Sequence, residues 1–217
     1  MKQKLNNLEI KSFLESSSLT ILGVDEVGRG CIAGPVCAGV VIFNLESKSN
    51  LSRYVDSKLI KPQVRQVLSD EITEQHQSAI GWSTVEEIDE LNIRQASLLA
   101  MHRAVLSLIE KYKYKTNKIE NKKMVILVDG IDVIPNLEDI KQFSVIKGDQ
   151  LVRQISAASI IAKVARDHLM KEISIQHHVY GFEKHKGYGT VLHRDAIKKY
   201  GITNYHRKTF AGVKEYI

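Results

Sequence analysis

The sequence predicts an α/β layered domain, and three observations carry that prediction. Apolar runs of strand length come early and recur between longer helical patterns. Two of those runs end on an acid. The helical stretches carry one-sided apolar spacing, as helices packed on a sheet do. A chain of 217 residues fits one large domain, or one domain with a small appendage, and can bury a substantial core.

Taken in order, residues 20–25 (TILGVD) read as a short apolar strand and residues 35–43 (PVCAGVVIF) as a second, buried one. The glycine-rich stretch EVGRGCIAG connects them. Residues 61–76 read as a helix with Val64, Val67, Leu68 and Ile72 on one face. Residues 78–84 (SAIGWST) fit a third strand. From Val85 the pattern EEIDELN continues into RQASLLAMHRAVLSLIEKY as one long helix, with apolar positions 98, 99, 101, 105, 106 and 109 at helical spacing. TNKIENKK is a polar linker, 124–129 (MVILVD) a strongly apolar strand, and 143–146 (FSVI) a weaker one. A long helix runs from about Asp149 to about Ile175, with Leu151, Ile155, Ala158, Ala162, Ala165 and Leu169 as its stripe. Its centre, SAAS, is small enough for close packing. The organisation expected is a polar extension at 1–18, a main domain at 19–175 and a basic helical cap at 176–217.

Apolar residues make up 43% and charged residues 26%, an ordinary balance for a globular chain. No apolar run approaches the ~18 residues of a membrane span. The first fifteen residues carry no signal-peptide core, so a cytoplasmic location is expected. Cys31 and Cys37 read as free thiols. The net charge of +6 is unevenly spread. Residues 1–140 hold 17 basic and 19 acidic side chains, whereas 141–217 hold 14 and 6. A basic C-terminal third points to a polyanion, nucleic acid before membrane.

Asp25 and Glu26 close the first strand, Asp129 closes the strand at 124–129, and Asp149 stands in KGD where a helix begins. Ligands collect at strand ends of open α/β sheets. Hard divalent cations favour carboxylate oxygens, and clustered acids repel unless a cation joins them. Each acid also has a purely structural role open to it: Asp129 in a turn before Gly130, Asp149 as a helix N-cap, Asp25 and Glu26 as a solvated strand end. Adjacent strand residues point to opposite faces, so Asp25 and Glu26 share one site only if the backbone leaves regular geometry at Glu26.

The motifs GVDEVGRG and AGPV, DSK at 56–58, EEIDELNIRQASLLAMHRA, LVDG, KGD, SAASIIAKVARD, YGFEKHKGYGT and HR-x-x-F follow one another from residue 20 to about 210. In this set and order the chain resembles bacterial ribonuclease HII, the type 2 ribonuclease H family. The resemblance implies a ribonuclease H-like fold: a central mixed five-stranded sheet flanked by helices, with a small C-terminal helical region. It implies four metal-binding catalytic acids, which map onto Asp25, Glu26, Asp129 and Asp149. Asp167, in ARD, competes for the fourth place, but its position within a helix beside Arg166 suits a structural ion pair. The implied substrate is RNA paired with DNA, or DNA with an embedded ribonucleotide, cut on the ribonucleotide's 5′ side to leave 3′-hydroxyl and 5′-phosphate ends, as in ribonucleotide excision repair.

Gly28, Arg29 and Gly30 match the loop that contacts the ribose 2′-hydroxyl, and Tyr188 matches the tyrosine that stacks on the neighbouring sugar. Lys58 and Lys147 are candidate phosphate contacts. The expected cofactor is Mg²⁺ or Mn²⁺, two ions with substrate bound, about 4 Å apart, one positioning the attacking water and the other the departing 3′-oxygen. A monomer is expected. Cys31 stands where the family usually has proline, which puts the stiffness of the recognition loop in question, and Gly212 stands where the family often has proline, which loosens only the tail. The rival readings are a ribonuclease H that ignores junctions and a nucleic-acid-binding module without activity.

Overall fold

Nearly unbroken burial along the central strands marks a sheet covered on both faces. The computed structural model describes Ile10 and residues 19–44, 46–116 and 124–217. Its strands are β1 (Thr20–Val27), β2 (Val36–Ile42), β3 (Gln77–Ser83), β4 (Met124–Asp129) and β5 (Lys141–Val145), in the order β3-β2-β1-β4-β5. β1 pairs antiparallel with β2 and β2 with β3, whereas β1 pairs parallel with β4 and β4 with β5. This is the mixed five-stranded sheet the resemblance implies. The helices are α1 (Pro62–Gln75), α2 (Val85–Leu91), α3 (Ile93–Thr116), α4 (Gly148–Leu151), α5 (Arg153–Gln176), α6 (Phe182–His185) and α7 (Val191–Tyr200).

The sheet's two faces divide by strand parity. Leu22 and Val24 of β1, Ala38 and Val40 of β2 and Ile126 and Val128 of β4 pack with Ala100, Met101, Ala104 and Leu108 of α3. Residues of the other parity, Ile21, Val125 and Leu127, pack with Ile155 of α5 and with Ile10. Val41 joins Leu68 and Ile72 of α1 and Ala158 and Ile161 of α5 on that same face. The small centre of α5 lets it lie close: a Cβ on Gly39 would stand 2.3 Å from the Ala158 carbonyl oxygen. On the opposite face a Cβ on Gly81 would stand 2.2 Å from the Ala100 oxygen and 2.4 Å from the Ala104 nitrogen. Ile32 and Ala33 pack with Met170 and Ile173 of α5 and with Tyr180, Phe182, Ile197 and Val213. The C-terminal region therefore shares a core with the loop after β1.

Several elements depart from the sequence reading. α1 buries Arg65, Leu68, Ser69 and Ile72 and leaves Val64 and Val67 exposed. The reason is that the Arg65 guanidinium donates to the carbonyls of Ser57 and Ile60, which turns its own face inward. The long helix from Val85 breaks at Asn92, whose φ is +69° and whose side-chain oxygen accepts from the amides of Arg94 and Gln95 to cap α3. Leu106 is exposed on it. The helix from Asp149 breaks at Val152, which is extended, so α4 and α5 are separate and Leu151 is exposed. The polar extension at 1–18 lies outside the described residues apart from Ile10, and the linker does so beyond Thr116.

Gly81→Ala is expected to lower stability by about 1–3 kcal/mol, because the new methyl meets backbone that cannot swing aside. Denaturant unfolding checks this, and an unchanged midpoint contradicts the packing described.

Candidate active site

β1 and β4 lie side by side and parallel, so their C-terminal ends bring acids together. Asp25 and Asp129 share the parity of the α5 face, and Glu26 that of the α3 face. β1 stays regular through Val27, so the backbone departure that sequence reasoning required at Glu26 does not occur. Glu26 meets the others around the strand end instead. It lines a cleft of about 410 Å³ together with Arg29, Arg94, Asp129, Ile131 and Asp132.

Burial first, and mutual repulsion after it, raises the acids above their ordinary values. Burial pushes Asp25 well above the ordinary carboxylate value, and the charges of Glu26 and Asp129 push it further, against hydrogen bonds from the Ser159 hydroxyl and the Glu26 amide. Burial and then Asp129 raise Glu26, although Arg29 opposes them through a 2.9 Å ion pair. Asp129 is raised by burial and by Asp149, against the Gly148 amide that donates to it at 2.7 Å. Asp149 sits in the first turn of α4 behind Lys147, which is the N-cap with φ +56°, so Asp149 is not the cap. Burial and then Asp56 raise it, while Lys58 lowers it. Burial works against the charge of Lys58, but Asp56, Asp149, Asp25 and Asp129 outweigh it and hold the ammonium in its charged form. Lys58 therefore faces the acids, whereas Lys147 is exposed on the α4 turn.

Asp167 has its own partners, Lys163 at 2.7 Å and Arg65 at 3.7 Å. It is an ion pair as expected, but not with Arg166. Among the described residues no three Asp, Glu, His or Cys side chains form a ready-made cage for a metal ion. The donors nonetheless suit a hard divalent cation. They are all carboxylate oxygens, and the most buried of them, Asp25, sits among like charges that a cation would neutralise.

Beside the acids runs the loop Gly28-Arg29-Gly30. Tyr188, 44% exposed, reaches it through an antiparallel bridge between Cys31 and Tyr188. The Cα of Gly30 faces that ring, since a Cβ there would lie 3.8 Å from the Tyr188 Cε1. Side chains that sequence reasoning did not place at this site hold the arrangement. Arg166 donates to the carbonyls of Pro35, Ala33 and Lys186, and Arg207 to those of Gly28, Arg29, Cys31 and Gly34. His193 and His206 contact each other at 3.1 Å. Because Nδ1 of His206 accepts from the Thr203 amide, its Nε2 must donate to His193, which donates in turn to the Tyr188 carbonyl. Burial pushes both imidazoles down to about 4, so both are neutral near pH 7. The motifs ARD and HR-x-x-F contained the arginines, but nothing in the sequence tells a buried arginine from a solvated one.

The family model for ribonuclease HII matches residues 22–213. The chain belongs to the ribonuclease HII family. Ribonuclease HII of Pelagibacter ubique is 43% identical over 195 residues, covering 90% of this chain and 97% of that one. Ribonuclease HII of Nitrosomonas europaea is 47% identical, covering 88% and 82%. Among solved structures, ribonuclease H2 from Pyrococcus horikoshii superposes with a TM-score of 0.65 at 26% identity, over 91% of this chain and 97% of that one. Bst-RNase HIII in complex with Mn²⁺ gives 0.73 at 16% identity, over 94% and 70%, which shows a shared fold. As a member of the ribonuclease HII family this chain is a ribonuclease H hydrolase, a nuclease whose acids are consistent with metal dependence. No helix among the described residues is long and apolar enough to cross a membrane.

The raised carboxylates fix a sign. A group whose folded pKa lies above its unfolded value carries more protons in the fold, so its contribution to stability falls as pH rises through that window. Without divalent ions, Asp25→Asn is therefore expected to be more stable than the parent at pH 8, with a gap that narrows toward pH 5. Thermal melts in EDTA at both pH values check this, and a less stable variant at pH 8 contradicts it.

Proposed function

We propose that this protein hydrolyses the phosphodiester on the 5′ side of a ribonucleotide, in RNA–DNA hybrid or embedded in DNA, leaving 3′-hydroxyl and 5′-phosphate ends. The observation that carries the reading is the contact of the Gly28–Gly30 loop with Tyr188, immediately beyond the strand that carries Asp25 and Glu26 near its end. A detector of one sugar hydroxyl is useful beside the cutting groups and has little purpose elsewhere. The 2′-hydroxyl is the group that separates RNA from DNA.

Asp25, Glu26, Asp129 and Asp149 would hold Mg²⁺ or Mn²⁺. The engagement of Asp167 by Lys163 and Arg65 favours Asp149 as the fourth acid. Two such ions, bound with substrate, would supply a water of lowered pKa and neutralise charge at the departing oxygen. The Gly148 amide holds the Asp129 carboxylate in place. Lys58 is positioned to meet a phosphate that approaches the acids, and Lys147, on the exposed α4 turn, a phosphate farther along the strand. The half-exposed Tyr188 ring offers a stacking face to the adjoining sugar. Arg29, tied to Glu26, couples the reading loop to the acids. The reading includes action as a monomer in the cytoplasm, in ribonucleotide excision repair.

A DNA duplex with one ribonucleotide is expected to be cut at its 5′ side. Cutting of long hybrids alone supports a junction-blind ribonuclease H, and binding without cutting supports an inactive module. Asp129→Asn keeps an oxygen for the Gly148 amide, so it is expected to fold normally and lose activity roughly a hundredfold or more. Gel analysis of the products and a melting curve check both statements, and normal cutting by Asp129→Asn refutes the assignment of the acids.

A further inference from the structure

The two most deeply buried large side chains of the site region are arginines. Arg166 and Arg207 are both fully buried. No carboxylate forms a salt bridge with either among the described residues. Burial pushes Arg207 down to about 10, and the neighbouring charge of Arg166 adds to the push. Two like charges brought together in the interior are costly unless fixed dipoles replace the lost water. Here backbone carbonyls replace it. Arg207 Nε and Nη2 both donate to Gly34 O, Nη1 to Arg29 O at 3.0 Å and Cys31 O at 2.7 Å, and Nη2 also to Gly28 O at 2.8 Å.

We propose that Arg207 is a specificity-determining positioning residue, which turns the carbonyls of the Gly28–Gly30 loop inward and thereby presents its amides to the ribose. The inference rests on the function proposed above. In a trans peptide the C=O and N–H point in opposite directions. The Gly28 carbonyl faces Arg207, so the Arg29 N–H faces away. The Arg29 carbonyl does the same, so the Gly30 N–H faces away as well. Neither amide has a hydrogen-bond partner among the described residues, whereas the Cys31 amide folds back on Gly28 O and the Ile32 amide on Gly187 O. The result is a pair of outward donors next to Tyr188, suited to a hydroxyl or phosphate oxygen. Arg166 closes the other side: a Cβ on Gly28, at φ +102°, would stand 2.2 Å from its Nε. This clamp also supplies the stiffness that Cys31 does not, in the place where the family usually has proline.

Arg207 is itself held by a short tail. Its amide donates to Ile32 O, and the following amides of Lys208 and Thr209 donate to the Asp89 carboxylate on α2. Lysine cannot replace it, because one ammonium cannot reach carbonyls spread around a planar fork.

The test compares wild type, Arg207→Lys and Asp89→Ala in binding two duplexes that differ by a single 2′-hydroxyl, in EDTA so that nothing is cut. The expected result is a preference for the ribonucleotide duplex that falls by about tenfold or more in Arg207→Lys. All-DNA affinity should be retained. Asp89→Ala, which loosens the tail and touches no loop carbonyl, should shift the preference in the same direction by less. An unchanged preference, or an equal loss for both duplexes, overturns the proposal. If Arg207→Lys fails to fold, Asp89→Ala decides alone. A wild type without any preference defeats the functional reading instead. In that case ¹⁵N relaxation of the Arg29 and Gly30 amides decides the placement: increased mobility in the variants supports it, and unchanged order refutes it.

Discussion

Like charges held together at the ends of β1 and β4 are the constraint on which the rest of the site depends. The parallel pairing of these strands sets Asp25 and Asp129 on one face, and Glu26 reaches the same end from the other. In the fold alone this is unfavourable. Burial and mutual repulsion raise Asp25, Glu26 and Asp129 together. What offsets it locally is modest: an amide at Gly148, a hydroxyl at Ser159, Arg29 beside Glu26 and the ammonium of Lys58. Stability is therefore spent on a cluster that a divalent cation would relieve, as function commonly demands.

The second requirement is that the cluster meet one particular bond. The loop that follows β1 begins within two residues of Glu26, so in the proposed function its place on a duplex would fix which phosphate meets the acids. The loop is held by residues far along the chain, Arg166 on α5 and Arg207 in the tail, while His193 and His206 anchor the carbonyl of Tyr188. The C-terminal region thus holds this loop in place, and it shares a core with Ile32 and Ala33.

The strands were legible because buried apolar runs with β-branched residues have few alternatives: MVILVD is β4 residue for residue. Helix interruptions were not. Asn92 and Val152 break long apolar patterns through backbone angles that periodicity does not encode. The face of α1 was misread because Arg65, a residue expected in solvent, is buried by its carbonyl partners. The four candidate acids and the Gly28–Gly30 loop lie in compact motifs that are easily seen in the sequence. Their supports did not, since Ser159, Arg166, Arg207 and His193 act through contacts that cross a hundred residues or more, or through tautomers set by a neighbour.

The most direct measurement is calorimetric titration of Mn²⁺ into the protein at pH 5.5, in two buffers of different ionisation heat. Carboxylates held partly protonated by one another must release protons when a cation binds. The account predicts net proton release that shrinks in Asp25→Asn. Binding with no proton release, or release unaffected by that substitution, would contradict it.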